Sequence, residues 1–267
     1  MKNIFLASVI SMFAAGAAFA EEAAPAPGPV IGGEVNVEIT ENAAGDFAAT
    51  TTLGVGINAE GIAFGGASVE SVDGASFEID EWQIGTTVAG ATLSFGKQGS
   101  LFVENDFEIV GGDTLAFPTD EHESLMVSMG DAAVMVGLTD VTTDVTEVEN
   151  IQGSYALSMG AVGLTAVGDY NMNSEEWTVG GKANMSMGQI ALGGLVTYGS
   201  ELETFAYEAS AGYGIATAFV NGDADDAFQN VGLGVNTTIN GLGVYAEGAY
   251  NIDAEDTMFG AGVTFKF

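Results

Sequence analysis

The sequence contains no cysteine and no arginine, and only four lysines, four prolines and a single histidine among 267 residues. Without cysteine there are no disulfides, thiolate metal sites or thiol nucleophiles. The bases Lys2, Lys97, Lys182 and Lys266 stand against 37 acids, for a formal net charge of −33. Nucleic acid is thereby excluded as a partner and an anionic membrane surface is disfavoured, because phosphate contacts require Lys and Arg. The one imidazole, His122, sits in Asp120-Glu121-His122-Glu123, a charged loop edge. No catalytic constellation can be assembled around it, so no enzyme is expected. Beyond the first 20 residues no stretch has the ~20 continuous apolar residues of a spanning helix. So acidic a chain could be disordered, but 47% hydrophobic residues and a mean hydropathy of +0.29 exclude that.

What is present begins with residues 1–20, MKNIFLASVISMFAAGAAFA. A basic residue, an apolar core and an A-x-A site before Glu21 read as a secretory signal peptide rather than a buried helix. Residues 21–33 hold three of the four prolines and no periodicity, and are expected to be a flexible Pro/Ala-rich linker. The remainder, 34–267, breaks into sixteen segments, from 34–41 to 256–267, with an alternation of period two. In the last of these Phe259, Ala261, Val263, Phe265 and Phe267 share one face, while Met258, Gly260, Gly262, Thr264 and Lys266 share the other. A soluble sandwich places mixed charges on its outer face. Here the second face is mostly Gly, Ser, Thr, Asn and Ala, which suits a lumen, with the apolar face turned to lipid.

The connections alternate as well. Minimal turns such as Met159-Gly160 and Asn240-Gly241 are interleaved with longer acidic ones such as Asn171–Glu176. Short turns at one rim, longer loops at the other and an even strand number are the layout of a transmembrane antiparallel β-barrel. Trp82, Trp177, Tyr155, Tyr170, Tyr198, Tyr245, Tyr250, Phe259 and Phe267 cluster toward strand ends, as girdle aromatics would. The longest interruption, 98–121, follows the fifth strand and carries Glu104, Asp106, Glu108 and Asp113 with packing residues of its own. It is expected to fold inward as a constriction loop.

Carboxylates around a low-dielectric mouth concentrate cations and repel anions. The expected constriction is therefore Glu104, Asp106, Glu108 and Asp113 on the loop, with Lys97, Lys182 and Glu247 on the wall. Asp120, His122 and Glu123 are weak metal candidates, because neighbours on an extended chain point to opposite sides. Gly111-Gly112-Asp113 reads as a turn, since no periodic partner makes it a calcium repeat. No cofactor is expected beyond calcium held loosely by exposed acids.

Two short motifs carry a resemblance to a known family. The terminal Met258-Phe-Gly-Ala-Gly-Val-Thr-Phe-Lys-Phe267 and the segment Gly90-Ala-Thr-Leu-Ser-Phe-Gly-Lys-Gln98, with a long loop directly after it, are similar to the general Gram-negative porins, most closely those of α-proteobacteria. The resemblance implies a sixteen-stranded trimeric barrel in the outer membrane that passes small hydrophilic solutes passively. It also implies recognition of Phe265 and Phe267 by the barrel-assembly machinery. One departure stands out: the family sets arginines on the wall against acids on the loop, and this chain has no arginine. A weak transverse field and a strongly negative potential are expected. Two other classes share parts of the pattern: a non-conducting acidic barrel with an adhesive or surface-shielding role, and a secreted acidic β-solenoid. The solenoid requires a fixed repeat, which the sequence lacks.

Overall fold

The computed structural model describes residues 30–41, 47–59, 63–101, 122–139, 147–200, 203–224 and 228–267. The signal peptide and most of the 98–121 loop lie outside the described residues. The described chain forms sixteen antiparallel strands: β1 (Val30–Glu41), β2 (Phe47–Ala59), β3 (Ala63–Val72), β4 (Glu78–Val88), β5 (Ala91–Gln98), β6 (His122–Met129), β7 (Ala132–Leu138), β8 (Val148–Met159), β9 (Val162–Asn171), β10 (Trp177–Met187), β11 (Ile190–Gly199), β12 (Thr204–Tyr213), β13 (Ala216–Asp223), β14 (Asn230–Ile239), β15 (Leu242–Asn251) and β16 (Asp256–Lys266). Each pairs with its sequence neighbours, and β1 pairs with β16 to close the barrel. Sixteen strands spaced ~4.8 Å apart and tilted ~40° close at a backbone radius of roughly 16 Å.

Local chemistry explains why neighbouring strands turn back on each other. Asn240 (φ 52°) and Gly241 (φ 84°) are both left-handed, as a two-residue type I′ hairpin requires. Gly160 (φ 65°) is left-handed at the first position of its turn, the type II′ pattern. Asn58 and Ala59 pair with Phe64 and Ala63 as the end of β2.

The seam between first and last strands corrects the expected linker. Residues 30–33 belong to β1 and pair with 55–58 of β2. The Gly33 N–H donates to the Phe267 carbonyl and the Phe267 N–H to the Gly33 carbonyl, both at 2.9 Å. A β-carbon on Gly33 would come within 2.5 Å of the Phe267 ring. The glycines that read as flexible spacer therefore provide the flat surface on which the terminal aromatic lies, and Phe267 stacks in turn on Phe265 at 6.1 Å.

The burial pattern is inverted relative to a soluble protein. On β1 the polar Glu34, Asn36, Glu38 and Thr40 are buried, whereas Val37 and Ile39 are 45% and 49% exposed. On β2 Thr50 and Thr52 are buried, whereas Leu53, Val55 and Ile57 of the opposite face are exposed. The outer wall is thus a continuous apolar surface, far larger than water-soluble monomers present. Toward the rim carrying the longer connections it ends in an aromatic array, with Trp177–Tyr198 ring centroids 5.6 Å apart and Tyr198–Phe205 4.8 Å apart. Tyr245, expected in such a girdle, faces inward instead. It shares the face of Glu247 and aligns through Gly262 with Glu38 of β1.

Candidate functional site

The segment Gly96-Lys97-Gln98 at the end of β5 roots the long connection, and each of its residues has a separate task. Gly96 lies where a β-carbon would overlap the Trp82 carbonyl, so the strand approaches β4 only because the side chain is absent. Gln98 points inward and is 7% exposed. Its Oε1 accepts from Gln83 Nε2 (2.7 Å) and Ser94 Oγ (2.8 Å), and its Nε2 donates to the Ser124 carbonyl (3.1 Å) and Oγ (3.2 Å). One amide thus ties β4, β5 and β6 together just before the chain leaves the wall. The next residues turn into the barrel: Ser100 Oγ and the Leu101 N–H donate to Gln152 Oε1 on β8, at 3.0 Å and 2.7 Å.

Between Gly96 and Gln98, Lys97 faces the other way. The alternation that turns Ser94, Gly96 and Gln98 inward places Lys97 on the outer face, in register with Trp82 and Glu123. This corrects its expected place on the lumen wall: adjacent residues of a strand cannot share a face, and Gln98 occupies the inner one. Lys182 and Glu247 do face inward. Lys182 stands in the row Thr165–Lys182–Leu195–Glu208–Asn221–Asn230 across β9–β14, and Glu247 is 7% exposed.

The wall also carries acids that the loop-centred reading missed. Glu34 and Glu38 on β1, Glu70 on β3 and Glu81 on β4 occupy inward positions, and with Glu247 on β15 they line one arc of the barrel. Glu38 aligns with Thr50, and Thr52 with Glu70, so those two carboxylates flank the inner threonines of β2. The Glu81 N–H donates to Ser68 Oγ (3.1 Å), beside a bulge in the β3–β4 ladder. Asp169 accepts from Asn150 Nδ2 (3.0 Å), and Glu208 is 1% exposed. The inward base at the turn rim, Lys266, is bridged to Glu34 at 3.0 Å. Alternation alone could have found these acids, each on the polar face of its strand, apart from Glu81: the bulge in the β3–β4 ladder puts it inward although Ile79, two residues before it, faces out.

The remaining expected residues fall elsewhere. Glu104, Asp106, Glu108, Asp113 and Asp120 lie outside the described residues. His122 and Glu123 occupy consecutive, hence alternating, positions of β6. Among the described residues no group of three or more acidic or imidazole side chains could hold a metal ion.

No protein-family model and no curated protein matches the sequence. Solved structures do. A triply substituted Rh. blastica porin superposes with a TM-score of 0.64 at 15% identity, over 90% of this chain and 100% of that one. Salmonella typhi OmpF in complex with daunomycin gives 0.63 at 10% identity, over 90% and 97%. An anion-selective porin from Comamonas acidovorans gives 0.57 at 14% identity, over 90% and 99%. Likeness at these identities establishes the fold, the sixteen-stranded porin barrel.

Proposed function

We propose that the protein is an outer-membrane channel for passive diffusion of ions and small hydrophilic solutes, with a preference for cations. The observation that carries this reading is the sign of the inward-facing charge on a barrel whose outer wall is apolar. Glu34, Glu38, Glu70, Glu81, Asp169, Glu208 and Glu247 face inward, against Lys182 and the rim residue Lys266. An apolar exterior of this extent calls for lipid around it, and fixed carboxylates inside a low-dielectric wall favour cations. The fold does not decide the sign, since one solved relative of the same architecture is described as anion-selective. Selectivity must reside in the side chains. The loop acids Glu104, Asp106, Glu108 and Asp113 add to the same charge, and we assign the loop the narrowing role. Assembly through Phe265 and Phe267, and association of three copies in the outer membrane, belong to the same proposal.

The test is the reversal potential in a planar lipid bilayer under a KCl gradient. Cation selectivity is expected; anion selectivity sinks the electrostatic account, and absence of conductance sinks the channel. A non-conducting barrel is favoured by one observation, the complete burial of inward Ser124 and Asn221, and the same recording separates the two.

A further inference from the structure

We propose that Gln152 is a positioning residue of the channel: the chain leaving β5 docks on it, so the narrow region of the lumen is anchored at β8 as well as at β5. This inference rests on the channel reading. Gln152 is 1% exposed and Ser100 is 5% exposed. The two donors that converge on Gln152 Oε1, Ser100 Oγ at 3.0 Å and Leu101 N–H at 2.7 Å, come from 52 and 51 positions away.

The geometry leaves the crossing no slack. Ser94, Met126, Met135 and Gln152 lie in one register row across β5, β6, β7 and β8. Three strand spacings of ~4.8 Å separate the ends of that row by roughly 14 Å along the wall. The chain leaves β5 at Gln98, four residues beyond Ser94, so roughly 14 Å is the least length of the crossing; Gly99, Ser100 and Leu101 span at most about 10 Å when extended, and the Gln152 side chain completes the reach. The chain must therefore run directly across the inner faces of β6 and β7. Met135, which lies in that row next to Gln152, is only 2% exposed.

The residue type suits the task. A side-chain amide oxygen has two lone pairs and accepts two donors at once, here a hydroxyl and a backbone N–H. Glutamate retains that acceptor; leucine has the same bulk and none. With Gln98 gripping β4, β5 and β6 upstream and Gln152 gripping the chain downstream, the loop root is held on both sides. Leu101 is thereby held at a defined place inside the barrel.

The absence of native cysteine makes the test direct. Leu101→Cys keeps the backbone N–H and introduces the one thiol, in protein produced from the whole sequence and purified from membranes. Its labelling by a charged maleimide is timed with Gln152, Gln152→Glu and Gln152→Leu, and folding is checked by heat-modifiable migration. Each hydrogen bond is worth five- to tenfold in a local equilibrium, so labelling about tenfold faster or more is expected for leucine, and a near-native rate for glutamate. Equal rates with glutamine and leucine overturn the proposal. If Gln152→Leu does not fold, Ser100→Ala removes one bond and leaves β8 intact. About fivefold faster labelling is then expected, and an unchanged rate overturns the docking. In bilayers, faster labelling should be accompanied by additional conductance levels, whereas Ser154→Ala on the same strand face should leave the native level. Released labelling with a single native conductance level overturns the positioning role. A native protein that does not conduct refutes the channel reading instead, and the labelling rates still decide the docking.

Discussion

Neutralising the wall acids tests the selectivity argument quantitatively. Glu38, Glu70 and Glu247 lie on one arc of the inner wall, and glutamine replaces each without changing its shape. With a backbone radius of roughly 16 Å, a wall carboxylate stands ~8 Å from the path of a permeating ion. In water, unit charges at that distance interact by about 0.5 kcal/mol. The ~10 Å Debye length of 0.1 M salt leaves roughly half of that. Cation and anion feel opposite signs, so losing one carboxylate shifts their ratio by about 0.4–0.5 kcal/mol, or roughly twofold. The triple variant should therefore lose about eightfold in K⁺ over Cl⁻ permeability at 0.1 M KCl, measured as a change in reversal potential. At 1 M the Debye length falls to ~3 Å and the difference should nearly vanish. A triple variant with native selectivity at 0.1 M would falsify the account. An equal loss at both salt concentrations would also refute it, by pointing to altered pore shape in place of charge.

Three further outcomes are expected from the geometry. Lys97→Gln should leave the reversal potential unchanged, whereas Lys182→Gln should raise cation preference about twofold by the same Coulomb argument; equal effects would contradict the assigned faces of β5 and β10. Val235→Arg, on the outer face near the middle of β14, should destabilise the folded protein in lipid vesicles by about 2–4 kcal/mol. Asn236→Arg, on the inner face of the same strand, should cost much less, and denaturant titrations that rank them in reverse would invert the membrane-facing assignment. Gly33→Val should destabilise closure by about 1–3 kcal/mol, because its β-carbon meets the Phe267 ring. Phe267→Ala in that background should recover part of the loss, and strict additivity of the two changes in a double-mutant cycle would rule out the contact.

Which features of the barrel are legible in the sequence depends on a physical distinction between face and position around the barrel. Face is a local property with period two. The alternation of Phe259, Ala261, Val263 and Phe265 against Gly260, Gly262 and Thr264 is legible without any partner strand, and β16 adopts the expected faces. The same rule decides Lys97: once Gln98 takes the inner face, Lys97 must take the outer one. Tyr245 fails as a girdle residue for the same reason, since it shares the parity of Glu247. Position around the barrel is different, because it accumulates through every pairing register between two strands. Glu38 and Glu247 are more than two hundred residues apart, and they become neighbours only when β1 closes on β16. Alternation with Val37 and Ile39 marks Glu38 as inward-facing, but nothing near it in the sequence tells which acids it will stand beside, whereas the dense acids of 98–121 draw attention by number alone. The docking of Ser100 and Leu101 on Gln152 is less visible still, because a single amide oxygen on a polar strand face has no signature of its own. The acids and amides that shape the lumen are thus individually legible as inward-facing, and their clustering depends on barrel closure. That closure is the β1–β16 ladder from Glu34–Lys266 to Glu41–Phe259, extended by the Gly33–Phe267 contact, between two segments whose local sequences say little about each other.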